Sequence, residues 1–380
     1  MNAVKAQQMA PTAAARIQES KHIPRHAMVW SKRLTEIVEC LEKERTPEWQ
    51  IGLVIQDVFK KGASSPSAIN RVPQAVRNVL SARFGESLSP LRVLEQGSAD
   101  FAHKFLLESR QDGGKIEAVG LDFRSHTSLC VSSQIGCAFN CSFCATGKLG
   151  LKRQLSVDEI VGQVLTFRAT GNVVDSVSFM GMGEPLANPK IFNAISVLTD
   201  PQLVGLSARR MSISTIGIIP GLVKLTELHP QANVAYSLHS PFPEEREKIM
   251  PIQKVYPFAK VFDVLDDRIK RTGRRIWISY LLLKGINDTE RHARALAQLI
   301  KDRPKQTSYL YHVNLLPYNE ARDVSTAFKR CEDWNQFQAI LNNEGITTSF
   351  RNSFGRSIDA ACGQLYATYE AKNALKSKPV

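Results

Sequence analysis

Between Trp30 and Phe84 the apolar residues recur at three- and four-residue steps, first in RLTEIVECLEK and again in IGLVIQDVFKKG, which ends at Gly62. That period predicts amphipathic helices burying one face, and SSPSAINRVPQAVRNVLSARFG reads as a loop followed by another helix. Shorter β-like runs come next, KFLLES and KIEAVGLDF, with QDGG between them as a hairpin turn.

Beyond residue 150 the two periods alternate. LSVDEIVGQVLTFRAT is a helix opened by a capping box, Ser156 with Glu159, and VVDSVSFM is a strand that runs into a Gly-rich turn. The strands RRMSIST, ANVAYSLH, RIWISYLLL, YLYHVNLLPY and TTSF follow. Between successive strands lie the helices NPKIFNAISVL, GLVKLTEL, AKVFDVLDDRIKRT, DTERHARALAQLI and CEDWNQFQAILNNEG. Such alternation predicts a parallel α/β sheet wrapped by helices, either open or closed in part as an incomplete barrel. In both cases chemistry belongs at the C-terminal strand ends, where the cysteine-rich loop, GMGEPLAN, STIG and SLHS all fall.

Composition adds two constraints. The 380 residues carry 49 Lys and Arg against 36 Asp and Glu, a formal charge of +13 that favours an anionic partner. No apolar run reaches the roughly 20 residues that span a bilayer. The opening stretch lacks a signal-peptide core, so residues 1–28 are expected to form a flexible tail of a cytoplasmic protein with no membrane partner.

Seven cysteines in so long a chain do not make a disulfide framework. Cys40 and Cys331 lie in helical contexts, as packing or surface residues. Cys137, Cys141 and Cys144 are different, since GCAFNCSFCATG supplies three thiolates from one loop. A structural zinc site wants four ligands, and no second C-x-x-C is present. Three thiolates can instead hold three irons of a 4Fe-4S cube and leave the fourth free to chelate S-adenosylmethionine (SAM).

The C-x3-C-x2-C loop after a first strand, with Phe143 before the third cysteine, resembles the radical SAM superfamily. More specifically, CVSSQIGCAFNCSFCATG, FMGMGEPLAN, SISTIGIIP, SLHSP, HVNLLPYN and IDAACGQL resemble the RlmN/Cfr family of ribosomal RNA adenine methyltransferases, over about residues 30 to 370. The resemblance implies a radical SAM partial (β/α)6 barrel with a small N-terminal helical accessory domain. On that plan the tail (1–28) precedes a helical RNA-binding unit (29–95) and a β-hairpin extension (96–122). The core (123–357) and a C-terminal segment (358–380) complete the chain.

Taken alone, GMGE is a tight turn, and Ser214, Ser237, Leu238, His239 and Asn314 are turn, cap or strand-end residues. By resemblance, Gly183 and Glu184 hold the SAM ammonium group and the other five line the SAM pocket. Cys362 and Cys130, which would otherwise be buried small residues, become a working pair. Two SAM molecules are used per turnover. One methylates Cys362; the second yields a 5′-deoxyadenosyl radical that activates this methyl group for attack on adenine. Cys130 then releases the product by forming a disulfide with Cys362. Glu117, read from sequence as an isolated Glu on an edge strand, matches the position of the base.

The implied partners are 23S rRNA, tRNA as a further candidate, and an electron donor such as flavodoxin; a monomer is expected. Arg209–Arg210 and Arg274–Arg275 read as strand-initiating pairs on a solvated face. SISTIGIIP, SLHSPFPEER, LYHVNLLPYN and SFRNSFG resemble the branch that methylates adenine carbon 8 and blocks ribosome-targeting antibiotics, whereas Pro185 resembles the carbon 2 branch. The rivals are that carbon 2 enzyme, a non-catalytic metal-containing RNA-binding protein, and a radical SAM enzyme acting on a small molecule.

Overall fold

The computed structural model describes residues 22–321, 324–325 and 327–365. Three helices come first, α1 (Lys32–Lys43), α2 (Glu48–Ile55) and α3 (Gln74–Phe84). α1 begins where the Ser31 hydroxyl accepts the Leu34 amide, and its buried stripe is Leu34, Ile37, Val38 and Leu41. Residues 22–28 depart from the expected tail: Ile23 and Ala27 are buried, and His26 pairs with Asp200 at 2.6 Å. The remainder of that tail lies outside the described residues.

Among the described residues, twelve strands follow. β1 (Leu91–Ala99), β2 (Ala102–Ser109), β3 (Lys115–Phe123) and β4 (His126–Cys130) form an antiparallel series. β5 (Gln134–Gly136) and β6 (Leu151–Gln154) form a separate ribbon flanking the cysteine loop. β7 (Ser176–Phe179), β8 (Met211–Thr215), β9 (Asn233–Ser237), β10 (Ile276–Leu282), β11 (Tyr311–Pro317) and β12 (Thr348–Phe350) complete the set. Ten strands make one sheet in the order β1-β2-β3-β4-β7-β8-β9-β10-β11-β12, and every pairing from β4 onward is parallel. β1 and β12 do not pair with each other, so the barrel is partial.

Two sequence readings change here. β1 starts at Leu91, within the stretch assigned to the helical unit, and no alternation announces it because only Leu91 of its nine residues is buried. Arg209 and Arg210 sit in a 3-10 turn before β8 rather than in the strand. Like Arg274 and Arg275 before β10, they lie at N-terminal strand ends, the end remote from the expected chemistry.

The helical unit docks on the helix Val157–Ala169, designated α4, whose capping box of Ser156 and Glu159 is present. Asp158 of α4 accepts the Ser31 hydroxyl at 2.6 Å and the Arg33 amide at 3.0 Å, so one carboxylate stitches both helix starts together. Gly62, at φ +76°, packs where a Cβ would meet the Leu165 carbonyl at 2.6 Å. Burial pushes the Asp158 carboxyl up against these hydrogen bonds, so its neutral isostere should be tolerated. Asp158→Ala should cost about 2 kcal/mol by leaving buried donors unpaired, whereas Asp158→Asn, which keeps an acceptor oxygen, should cost less. Urea denaturation midpoints of the two variants check the order.

Candidate functional site

The C-terminal strand ends enclose a cavity of about 190 Å³. Its wall includes Cys137, Cys141 and Cys144, then Met180, Gly181, Gly183 and Glu184 after β7, Ser214 of β8, Ser237 at the end of β9 with His239 beyond it, Ser279 of β10, and Arg351 after β12. Cys362 and Gly363 close it from the C-terminal segment. A smaller space of about 60 Å³ adjoins it, lined by Cys130, Val119, Leu121, Asn319, Phe354 and again Cys362. Cys362, Leu281, Leu316 and Arg351 border both.

The cysteine loop is laced in place by backbone hydrogen bonds. Cys137 N–H donates to Gly150 O at 3.0 Å, Ser142 N–H to Ile249 O at 3.0 Å, and Ala145 N–H to Gly363 O at 3.1 Å. The last of these fastens the loop to the residue after Cys362. Burial dominates the raised pKa of each thiol, with Cys137 pushed up to about 11, and the thiols raise one another. Three thiols from one loop fall one short of the four protein ligands of a structural zinc site and match three corners of a 4Fe-4S cube.

The GMGE turn is built from behind by residues that sequence reasoning missed. Ser132, buried, donates to Glu117 O at 2.7 Å and accepts Met182 N–H at 2.9 Å. Gln134 accepts the Glu184 amide at 2.7 Å, and Gly183, at φ +93°, leaves room for it, since a Cβ there would lie 2.5 Å from that side chain. The Glu184 carboxyl accepts the amides of Leu186 at 3.1 Å and Ile216 at 2.9 Å. Burial nevertheless pushes it up to about 7, so a cation placed in the cavity would favour its charged form.

His239 holds a left-handed backbone (φ +61°), and its Nδ1 accepts the Leu281 amide at 3.0 Å. Burial, with Arg246 nearby, drops its pKa to about 3, so the ring is neutral and carries its proton on Nε2. Arg246, fully buried, donates to the carbonyls of Ile216, Ser237 and Leu238, and thereby holds the ends of β8 and β9 together. Its only trace in the sequence is the lone Arg of SPFPEER.

Of the sequence-predicted residues, Gly183, Glu184, Ser214, Ser237 and His239 line the larger cavity. Leu238 is buried behind them and contributes backbone: its amide donates to Ser279 O at 3.1 Å. Asn314 pairs in register with Ser279 and accepts Ser349 Oγ at 3.1 Å, one step below Leu316 on the same face of β11. Cys130 ends β4; burial first, then the neighbouring Cys362 thiol, push it up to about 12, opposed by Arg351.

Glu117 corrects the edge-strand reading. β3 is an interior strand, paired with both β2 and β4, and Glu117 is only 1% exposed. Its carboxylate meets Lys104 Nζ at 2.7 Å, and that ammonium also donates to Asp359 O at 3.0 Å, three residues before Cys362. Glu117 shares its face of β3 with Val119 and Leu121, which line the smaller space, while Val119 lies opposite Cys130.

Residues 131–297 match the family model of the radical SAM superfamily. The chain is 41% identical over 338 residues to "Ribosomal RNA large subunit methyltransferase Cfr" of Staphylococcus aureus, covering 88% of this chain and 96% of that one. The protein of the same name from Bacillus velezensis is 42% identical over 349 residues, 90% of this chain and 99% of that one. Among solved structures, a radical SAM methyltransferase from Sphaerobacter thermophilus superposes with a TM-score of 0.80 at 32% identity. It covers 88% of this chain and 97% of its own.

The Glu184 shift has a definite sign. A carboxyl raised from 4.5 to about 7 contributes stability that is present below its unfolded pKa and lost as pH rises through 7, on the order of 3 kcal/mol when complete. In cluster-free protein, the melting temperature of Glu184→Gln relative to wild type should therefore climb by several degrees between pH 5 and pH 8. A difference that stays flat with pH would show that the carboxyl titrates normally.

Proposed function

Starting from the family to which this chain belongs, the Cfr-type ribosomal RNA large subunit methyltransferases of the radical SAM superfamily, we propose that it methylates carbon 8 of an adenine in the peptidyl-transferase centre of 23S rRNA. The product would block antibiotics that bind there. The observation that carries the methyl-transfer reading is the sharing of Cys362 between two spaces, one lined by the three loop cysteines and the other by Cys130, while the choice of carbon 8 rests on SISTIGIIP, SLHSPFPEER, LYHVNLLPYN and SFRNSFG. A carrier thiol needs both neighbours, a radical source to activate its methyl group and a second thiol to release it.

The cofactors of this family are a 4Fe-4S cluster and SAM, and the donor set fits them: three thiols in one loop and a dry carboxyl opposite. Together they supply a carbon radical, which is required because an amidine carbon is too electron-poor to attack the SAM methyl group directly. Cys137, Cys141 and Cys144 hold the cluster. Gly183 and Glu184 orient the ammonium group of SAM, and Ser214, Ser237, Leu238, His239 and Asn314 shape the remainder of its pocket. Neutral His239 offers an Nε2 proton without adding a competing charge.

Cys362 accepts a methyl group at sulfur by displacement from one SAM and bears the carbon through attack on adenine. Glu117 takes the proton from the attacked carbon, and the odd electron left on the ring returns to the redox partner that supplied it. Cys130 then attacks the Cys362 sulfur, so that a sulfur–sulfur bond replaces the sulfur–carbon bond; the released carbon takes up a proton to become the methyl group. Burial keeps Cys130 protonated in the resting protein, which protects Cys362 from premature pairing. Arg351, bordering both spaces, favours the thiolate when it is needed.

The formal charge of +13 suits a polyanionic substrate, bound through phosphates, whose target adenine leaves its stack to enter the cavity. Pro185, which lines the cavity, is the residue that favours carbon 2 instead. Digestion of modified 23S rRNA to nucleosides should yield 8-methyladenosine by mass spectrometry against standards, and pure 2-methyladenosine would overturn the choice. Cys362→Ala should abolish methylation, and Cys130→Ala should leave a protein–RNA conjugate that survives a denaturing gel until RNase is added. Turnover that persists without Cys362 would point to a small-molecule substrate. Absence of iron and sulfide after anaerobic reconstitution would point to a non-catalytic RNA-binding protein.

A further inference from the structure

The β1–β2 hairpin turns on two residues, Asp100 and Phe101, between the paired Ala99 and Ala102. Both have left-handed backbones, φ +50° and +63°, the geometry of a two-residue hairpin that normally selects Asn-Gly or Asp-Gly. A phenylalanine there is held at a free-energy cost, because its Cβ crowds the backbone. Burial does not offset the cost: the residue is 71% exposed. A strained, exposed aromatic at a loop tip calls for a function outside the fold.

Its neighbours indicate which. Phe101 meets Phe354 edge-on, with ring centroids 6.5 Å apart, and Phe123 meets the same ring at 5.8 Å. Phe123 in turn stacks on His126 at 4.8 Å. Phe354 lines the space that holds Cys130 and Cys362, so the aromatic series runs from the rim of the site to an exposed tip. Exposed Arg124 follows Phe123, and Arg356, also exposed, lies two residues after Phe354 and close enough to Arg330 for the two charges to interact. Aromatic faces interleaved with arginines are the chemistry that holds unstacked bases and the phosphates joining them.

We propose that Phe101, braced by Phe354 and Phe123, is a stacking platform for a nucleobase of the single-stranded RNA adjoining the target adenine. An adenine withdrawn from its stack leaves its neighbour with an uncovered face, and Phe101 supplies the replacement. The proposal rests on the RNA-methylating reading of the same site, and it adds a substrate contact to that reading.

Opposite signs test it. In reconstituted enzyme, Phe101→Gly should relieve the left-handed strain and raise the melting temperature by a few degrees. The same change should raise KM for a protein-free 23S rRNA fragment about tenfold while leaving kcat unchanged. Phe101→Ala should raise KM similarly, and Phe101→Trp should restore it. A KM unchanged in both the Gly and Ala variants overturns the platform, as does a loss confined to ribosomal particles, which would indicate a protein partner. If wild type fails to methylate the fragment, the broader reading falls. Fluorescence anisotropy on the same RNA still decides the platform, with equal affinities of wild type and Phe101→Gly refuting it.

Discussion

Two backbone amides, from Leu186 and Ile216, hold the Glu184 carboxyl in a pocket from which water is removed. Those hydrogen bonds tie the turn after β7 to the end of β8, and the GMGE geometry, with Gln134 behind it, exists to hold them. Dryness then sets the chemistry around it. The same exclusion of water keeps His239 neutral, as its proposed role requires, and holds Cys130 protonated until its thiolate is called for. Moving one of them into water would return it to its ordinary titration and uncouple it from the others.

The antiparallel extension complements this arrangement. β1, β2 and β3 continue the ladder of β4, so the wall facing Cys362 is part of the same sheet as the barrel. Lys104 illustrates the consequence: one ammonium meets Glu117 on β3 and the backbone of Asp359 in the Cys362 loop. Gly355 packs where a Cβ would lie 2.7 Å from Ala102, so the loop rests directly on the hairpin. On the opposite side, the bond between Ala145 and Gly363 fixes the loop to the segment that carries Cys137, Cys141 and Cys144.

Much of this was legible in the sequence. The strand–helix alternation, the Ser156 capping box and the three-cysteine spacing are local patterns, set by periods and offsets of a few residues. The residues that escaped notice depend on contacts between distant parts of the chain. Arg351 reaches Met180 across 171 positions, and Lys104 reaches Asp359 across 255. Arg246 gave no signal because a buried arginine that binds carbonyls looks, in sequence, like a helix-surface charge. β1 was missed for the opposite reason, since an exposed edge strand has no apolar face to alternate. Glu117 was legible as a residue and misread in its surroundings, because strand order cannot be derived from strand identity alone.

The sheet order from β4 to β12 follows chain order, with only the small β5–β6 ribbon set aside. During synthesis each new parallel strand therefore finds its partner already made. The cysteine loop emerges early and the cavity wall is added strand by strand. The thiol at position 362 leaves the ribosome after all of them. A truncation between Arg351 and Cys362 would thus leave every strand of the barrel in place while removing the thiol proposed as the carrier. Selection can alter the segment around Cys362, and with it the proposed transfer chemistry, without rebuilding the strands that carry the cysteine loop.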